Sequence, residues 1–336
     1  MTETSPSDRL NRKPRVFVTR KLLSATEQRM EELFDVTLNA DDTPADQEKL
    51  AEAMRTHDVL VPTVTDRIDA EVIAQAGPDL KLIANFGAGT DHIDLAAARA
   101  REILVTNTPG VFTDDTADLT MALIITVARR FADAARVLLT GQWQGWAPSS
   151  LLGHRIGGKR LAIIGMGRIG QAVAYRARAF GMQVRYHNRH RLPEAVETML
   201  SARYEPDLDK LVAEADVLTL HCPASPETHH VLGAKRIASM KPTAYVVNTA
   251  RGELIDEHAL YEALAANRLG GAGLDVYISE PYVDQRLLEL PNVVATPHLG
   301  SATFEGREAS GDKVIANIRF WADGHRPPDQ VLEGWA

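Results

Sequence analysis

Cysteine is nearly absent from this 336-residue chain: Cys222 is the only one. That excludes an internal disulfide and any zinc site built on several thiolates, and it fits a reducing compartment. No apolar run reaches the ~20 residues that a bilayer span requires, so no membrane role is expected. Residues 1–13 are polar and lack the hydrophobic stretch of a secretory signal; a frayed tail and a cytoplasmic location are the expectations. An excess of positive charge is lacking too, since the net charge is −8, which disfavours general binding to nucleic acid. His92, His154, His187, His190, His221, His229 and His230 form no metal-ligating pattern, and no metal is expected. One further absence is local: no Asp or Glu occurs between Gly165 and Pro193.

The composition is that of an ordinary globular protein, 45% hydrophobic and 24% charged, and the length suits two domains. Strand and helix patterns alternate along the chain. Arg15–Thr19, Val59–Val61, Leu82–Ala84 and Ile103–Thr106 read as strands. Ser24 with Glu27 reads as a capping box, and Thr43-Pro44 as a second helix start. A helix-compatible stretch from Thr113 to Thr140 leads to a second series of strands at Leu161–Ile164, Val184–Tyr186, Val217–Leu220, Ala244–Asn248, Gly273–Val276 and Val293–Ala295. Six strands with intervening helices are what a doubly wound dinucleotide fold needs. A last helix, about Ala302–Ala322, is expected to return to the first domain. The fold class is therefore α/β: two Rossmann-like domains, with a doubly wound parallel-sheet cofactor domain (109–301) inserted into a smaller flavodoxin-like substrate domain (1–108 and 302–336).

Between Lys159 and Gly170 an apolar strand, Arg160–Ile164, runs into Gly165-Met166-Gly167-Arg168-Ile169-Gly170 and then a helical stretch to Phe180. This is the context that a G-x-G-x-x-G phosphate turn requires. Gly165 suits the tight turn, Gly167 the approach of backbone to a pyrophosphate, and Gly170 close packing of helix on strand. The helix N-terminus, with Arg168 and Ile169, would face the phosphates. An NAD-preferring site places an acidic residue about 20 residues on, against the ribose 2′-OH. Here the next strand ends in His187-Asn188-Arg189-His190-Arg191. Guanidinium groups bind a 2′-phosphate where a carboxylate would repel it. NADP(H) is thus expected in preference to NAD(H), with NAD(H) possible, and with Arg189, Arg191 and Asn188 as ligands.

Several ordered blocks carry a resemblance: Asn85-Phe86-Gly87-Ala88-Gly89-Thr90-Asp91-His92-Ile93-Asp94, Asn107-Thr108-Pro109-Gly110, the glycine motif, His221-Cys222-Pro223, Asn248-Thr249-Ala250-Arg251-Gly252, Gly273-Leu274-Asp275-Val276, Glu280-Pro281 and Thr296-Pro297-His298-Leu299-Gly300. With these blocks the chain resembles the D-2-hydroxyacid dehydrogenase family over nearly its whole length, most closely its glyoxylate/hydroxypyruvate reductase branch.

Reduction of a 2-oxo acid needs a proton donor for the carbonyl oxygen and a cation for the developing alkoxide and the carboxylate. It also needs a hydride held near the carbonyl carbon. The resemblance implies Arg251, Glu280 and His298 as the catalytic set. An imidazole titrates near neutrality and suits the donor, a carboxylate on one ring nitrogen favours its cation and fixes the ring, and an arginine grips the carboxylate while polarising the carbonyl. The loop Phe86-Gly87-Ala88-Gly89 permits a turn of amides converging on an anion. By resemblance Ala88 and Gly89 bind the substrate carboxylate, and Phe86 lines the pocket.

The resemblance also implies that Asp275 bonds the nicotinamide carboxamide, that Pro223, Thr228, Thr249 and Gly300 line the cofactor, and that Thr113 approaches the nicotinamide. Trp146 matches a tryptophan that reaches the neighbouring subunit's pocket, or else serves as a packing anchor at a dimer interface. Cys222 has no adjacent base and reads as an apolar filler. The expected protein is a homodimeric reductase of small 2-oxo acids, first of all glyoxylate and hydroxypyruvate, forming D-2-hydroxy acids. Closure of its two domains is expected to exclude water. The alternatives are a non-enzymatic, corepressor-like dinucleotide sensor and a phosphite or other D-2-hydroxyacid dehydrogenase.

Overall fold

In a computed structural model, which describes residues 12–332, the chain divides into two compact units. One is made of two stretches, Met1–Phe112 and Thr303–Ala336, and the other is continuous, Thr113–Ala302. The expected N-terminal tail lies outside the described residues except for Arg12 and Lys13. No helix among the described residues is long and apolar enough to cross a membrane.

The first unit holds five strands, β1 (Arg15–Val18), β2 (Asp35–Thr37), β3 (Val59–Val61), β4 (Leu82–Ala84) and β5 (Leu104–Thr106). They form one parallel sheet in the order β2-β1-β3-β4-β5, the flavodoxin-like order whose direction reverses at β1. Alternate residues feed opposite cores: Phe17, Leu60, Ile83 and Val105 on one face, and Val16, Val18, Val59 and Leu82 on the other. Both faces are apolar, as a parallel sheet covered on two sides requires.

The second unit adds β6 (Arg160–Ile164), β7 (Gln183–His187), β8 (Ala202–Tyr204), β9 (Val217–Leu220), β10 (Tyr245–Asn248), β11 (Gly271–Leu274) and β12 (Val293–Ala295). Their order is β12-β11-β10-β9-β6-β7-β8, all parallel. The order reverses at β6, and a crevice at such a switch point is where open α/β sheets bind ligands. Leu161, Ile163 and Val247 face one core; Ala162, Ile164 and Val246 face the other.

Several local expectations are corrected. Ser24 is not the cap: Leu23 is, without a side-chain bond, and only Glu27 plays its part by accepting from the Leu22 N–H at 2.8 Å. The helix expected from Thr43-Pro44 begins at Gln47, because Asp46 caps it by accepting from Lys49 N–H. The stretch 113–140 is two helices, Thr113–Ala128 and Phe131–Leu139, broken at Arg130, whose φ is +54°. β11 runs two residues earlier than Gly273–Val276, which puts Asp275 just past the strand's carboxyl end.

Candidate active site

The loops after β10, β11 and β12 carry the three residues read as catalytic. Asn248 closes β10 and organises the loop beyond it: its Nδ2 donates to the Arg251 carbonyl at 2.8 Å, and its Oδ1 accepts from Ala250 N–H at 3.0 Å. Arg251 Nη1 donates to the Ala250 carbonyl at 2.7 Å. The next residue has to be glycine, because a Cβ at Gly252 would collide with the backbone of Tyr277 and Ile278. The Arg251 loop therefore lies directly against the loop that carries Glu280.

Glu280 and His298 form the centre of the site. His298 Nδ1 and Glu280 Oε2 are 2.7 Å apart, and the other carboxylate oxygen accepts from Tyr277 N–H at 3.0 Å. Burial pushes the Glu280 carboxyl up, but the His298 hydrogen bond and charge, the Tyr277 amide and the charge of Arg251 outweigh it and hold the group below the ordinary range. Glu280 is thus an anion against the imidazole at neutral pH. Both side chains remain about a third exposed, 33% and 30%, so the outer edge of the ring is reachable.

His298 has φ +54°, an uncommon conformation for a residue with a Cβ. Asp275 holds it there. The backbone N–H of His298 donates to the Asp275 carbonyl at 2.9 Å, while the Asp275 carboxylate accepts from Thr296 Oγ1 (2.6 Å), Leu299 N–H (2.7 Å) and Gly300 N–H (2.8 Å). Asp275 is fully buried. Burial raises its pKa in spite of these donors. Gly300 is further fixed by Thr116 Oγ1, which donates to its carbonyl at 2.8 Å.

The glycine turn fits a dinucleotide phosphate. Gly165 has φ +95° and a Cβ there would strike the backbone of His221 and Cys222; one at Gly170 would strike the Gly165 carbonyl. At Gly167 a Cβ would meet nothing within 4 Å, which leaves open space before the helix Arg168–Ala179. Asn188 Oδ1 accepts from Met166 N–H at 2.7 Å and so ties the end of β7 to this turn. Arg189 is exposed and forms no hydrogen bond or ion pair with another described residue. Arg191 is bound to Glu197 through Nε (3.0 Å) and Nη2 (2.7 Å), and Glu197 also accepts from Tyr186 Oη at 2.7 Å.

The remaining residues read from the sequence occupy nearby loops and helix ends. Thr249 Oγ1 pairs with Thr120 Oγ1 at 2.8 Å, a partner with no signal in the sequence. Thr228 Oγ1 donates to the Pro223 carbonyl at 2.7 Å and closes the 223–228 turn. Thr113 opens its helix. Burial pushes the Cys222 thiol up to about 11 and the His221 imidazole down to about 3, which makes Cys222 a poor nucleophile. Trp146 is 85% exposed. No group of residues suited to a metal occurs among the described residues.

In the first unit, the loop 86–89 has its acceptors occupied and its donors open. The Gly87 carbonyl accepts from Thr108 N–H (3.0 Å) and Asn85 Nδ2 (3.1 Å), that of Ala88 from Asn107 Nδ2 (2.7 Å), and that of Gly89 from Asn85 Nδ2 (2.8 Å). The N–H groups of Ala88 and Gly89 donate to no other described residue. Asn85 and Asn107, whose amides arrange this, open two of the blocks that carry the resemblance, but their part in holding the loop carbonyls is not readable from the sequence.

Residues 121–300 match the family described as D-isomer specific 2-hydroxyacid dehydrogenase, NAD binding domain. A glyoxylate reductase of Thermococcus litoralis is 44% identical over 95% of this chain and 97% of its own. Among solved structures, a D-isomer-specific 2-hydroxyacid dehydrogenase from Polaromonas superposes with a TM-score of 0.89 at 41% identity, covering 95% of this chain and 99% of that one. An NADPH-dependent glyoxylate/hydroxypyruvate reductase from Sinorhizobium meliloti, in complex with NADP and malonate, gives 0.85 at 32% identity, covering 96% and 98%.

The Asp275 geometry generates a prediction. With every carboxylate oxygen engaged in the 296–300 turn, Asp275→Asn puts an NH2 group against a backbone N–H and disturbs His298. The expected result is a kcat about tenfold or more lower, with cofactor Kd unchanged. A raised cofactor Kd at unchanged kcat would instead mark Asp275 as a nicotinamide contact.

Proposed function

This chain belongs to the D-2-hydroxyacid dehydrogenase family, among the NAD(P)-dependent enzymes of its glyoxylate reductase branch, and we propose that it reduces glyoxylate and hydroxypyruvate with NADPH in preference to NADH, with His298 as the proton donor. The observation that carries this reading is the 2.7 Å contact of His298 Nδ1 with Glu280. It leaves Nε2 as the nitrogen that faces substrate. When bound along the glycine turn, the reduced dinucleotide supplies a hydride to the carbonyl carbon. Arg251 stabilises the charge that develops on the carbonyl oxygen, His298 gives that oxygen the Nε2 proton, and Glu280 balances the imidazolium before transfer. The amides of Ala88 and Gly89 receive the carboxylate.

The preference for NADPH rests on the missing acid at the end of β7 and on Arg189, which has no hydrogen-bonded protein partner to give up. Arg191, held by Glu197 in an ion pair, offers its remaining N–H donors to a 2′-phosphate and leaves the unneutralised charge to Arg189. The NADPH named for the Sinorhizobium relative agrees with this reading.

The protein acts as a homodimer in this proposal. The helix Phe131–Leu139 buries none of its residues. Leu138, Leu139, Trp143 and Trp146 stand exposed in and after it, and a second copy that covers them removes a large apolar surface from water.

Nicotinamide oxidation followed by absorbance tests the reaction: glyoxylate and hydroxypyruvate are turned over with NADPH, and His298→Ala loses about 10²–10⁴-fold in kcat. Arg189→Ala raises the KM for NADPH about tenfold and leaves that for NADH as it was; an equal change for both cofactors would contradict the phosphate role. In sedimentation velocity, Leu139→Asp runs as a monomer where the parent runs as a dimer. A dimer that survives this change would move the interface elsewhere.

A further inference from the structure

Tyr277 stands between Asp275 and Glu280 in the loop after β11, and its hydroxyl has no part in the chemistry described above. The residue is 6% exposed. A phenol taken out of water needs an acceptor, and this one has two: Oη lies 3.1 Å from the Leu274 carbonyl oxygen and 3.0 Å from that of Thr296. Burial and the charge of Asp275 push the phenol up to about 12, so it keeps its proton and stays a donor at any pH near neutrality.

The two carbonyls differ in what else they receive. That of Leu274 accepts the Thr296 N–H at 2.9 Å. That of Thr296 has, among the described residues, only one other donor: the N–H of His298 at 3.2 Å, which is shared with the Asp275 carbonyl at 2.9 Å. The Thr296 carbonyl belongs to the peptide that leads through Pro297 into His298. Asp275 takes the hydroxyl and amides of this turn, and the Tyr277 hydroxyl takes its carbonyl.

The backbone of the same residue holds the other member of the pair. Tyr277 N–H donates to Glu280 Oε1 at 3.0 Å. The Tyr277 carbonyl lies where a Cβ on Gly252 would stand, and the next amide, of Ile278, donates to Glu257 at 3.3 Å. That peptide is therefore held against the Arg251 loop. A rigid ring with only two side-chain torsions joins the amide that grips Glu280 to the hydroxyl that grips the His298 turn.

We propose that Tyr277 is a positioning residue of the reaction: its amide and its hydroxyl fix Glu280 and the His298 turn relative to each other and so set their 2.7 Å contact. This rests on the proposed roles of His298 and Glu280. A phenylalanine would fill the same space and offer the same amide, so the hydroxyl is the part of Tyr277 that the proposal singles out.

Tyr277→Phe removes that hydroxyl and nothing else. Its kcat with glyoxylate is expected to fall about tenfold, while the KM for glyoxylate and the Kd for NADPH keep their parent values. In ¹H NMR the Nδ1 proton of His298, assigned with His298→Gln, moves upfield and exchanges faster with water. A residue that serves packing alone would leave kcat and this resonance at their parent values, and that result overturns the proposal. A fall in kcat with an unchanged resonance also overturns it, as does one matched by an equal weakening of NADPH binding, which would mark a general loosening of the fold. The resonance is read without turnover. If it responds to Tyr277→Phe in a protein that reduces no 2-oxo acid, the reductase reading fails and the positioning of His298 by Tyr277 stands.

Discussion

One buried carboxylate organises the catalytic turn. Asp275 leaves the end of β11 fully buried, where an uncompensated anion would cost several kcal/mol. Its compensation is the turn itself: the Thr296 hydroxyl and the amides of Leu299 and Gly300 all donate to it. Those bonds, with the one from His298 N–H to the Asp275 carbonyl, hold His298 at φ +54°, a placement that costs on the order of 1 kcal/mol. In that placement the ring meets Glu280 through Nδ1. Orientation of the imidazole is thus set partly by a carboxylate that makes no bond to the ring itself.

The two sheets divide the remaining work. In the second unit, parallel strands deliver Arg251, Glu280 and His298 at their carboxyl ends, and Gly252 lets two of the loops touch. In the first, side-chain amides do what charged residues do elsewhere. Asn85 and Asn107 occupy the carbonyls of the 87–89 loop, so its N–H groups are what remains to meet an anion.

Much of this was legible in the sequence, for identifiable reasons. The glycine turn could be read because two of its glycines are obligatory: Gly165 and Gly170 each meet backbone where a Cβ would stand. The sheets could be read because strands buried on both faces are short, continuous apolar runs bounded by turn residues. What escaped depends on partners distant in sequence. Arg191 reads as a free cation until Glu197 is seen across the next turn. The break at Arg130 carries no proline or glycine, and its flanking residues are good helix formers. β8 is three residues long, with one of them charged. Ser24 matched a cap by spacing alone, yet Leu23 takes the cap position, and Asp46 displaced Thr43-Pro44 as the start of the next helix. Asp275 was recognisable as important, but its three donors lie 21, 24 and 25 residues away, and no local pattern announces them.

The orientation of His298 is the claim on which the account turns, and ¹⁵N NMR of histidine-labelled protein reads it directly, with His298→Gln to assign the resonances. The account predicts a protonated Nδ1 with the downfield proton of a bond to a carboxylate, abolished by Glu280→Gln. A His298 ring whose Nδ1 carries no proton, or whose spectrum is indifferent to Glu280→Gln, would contradict it.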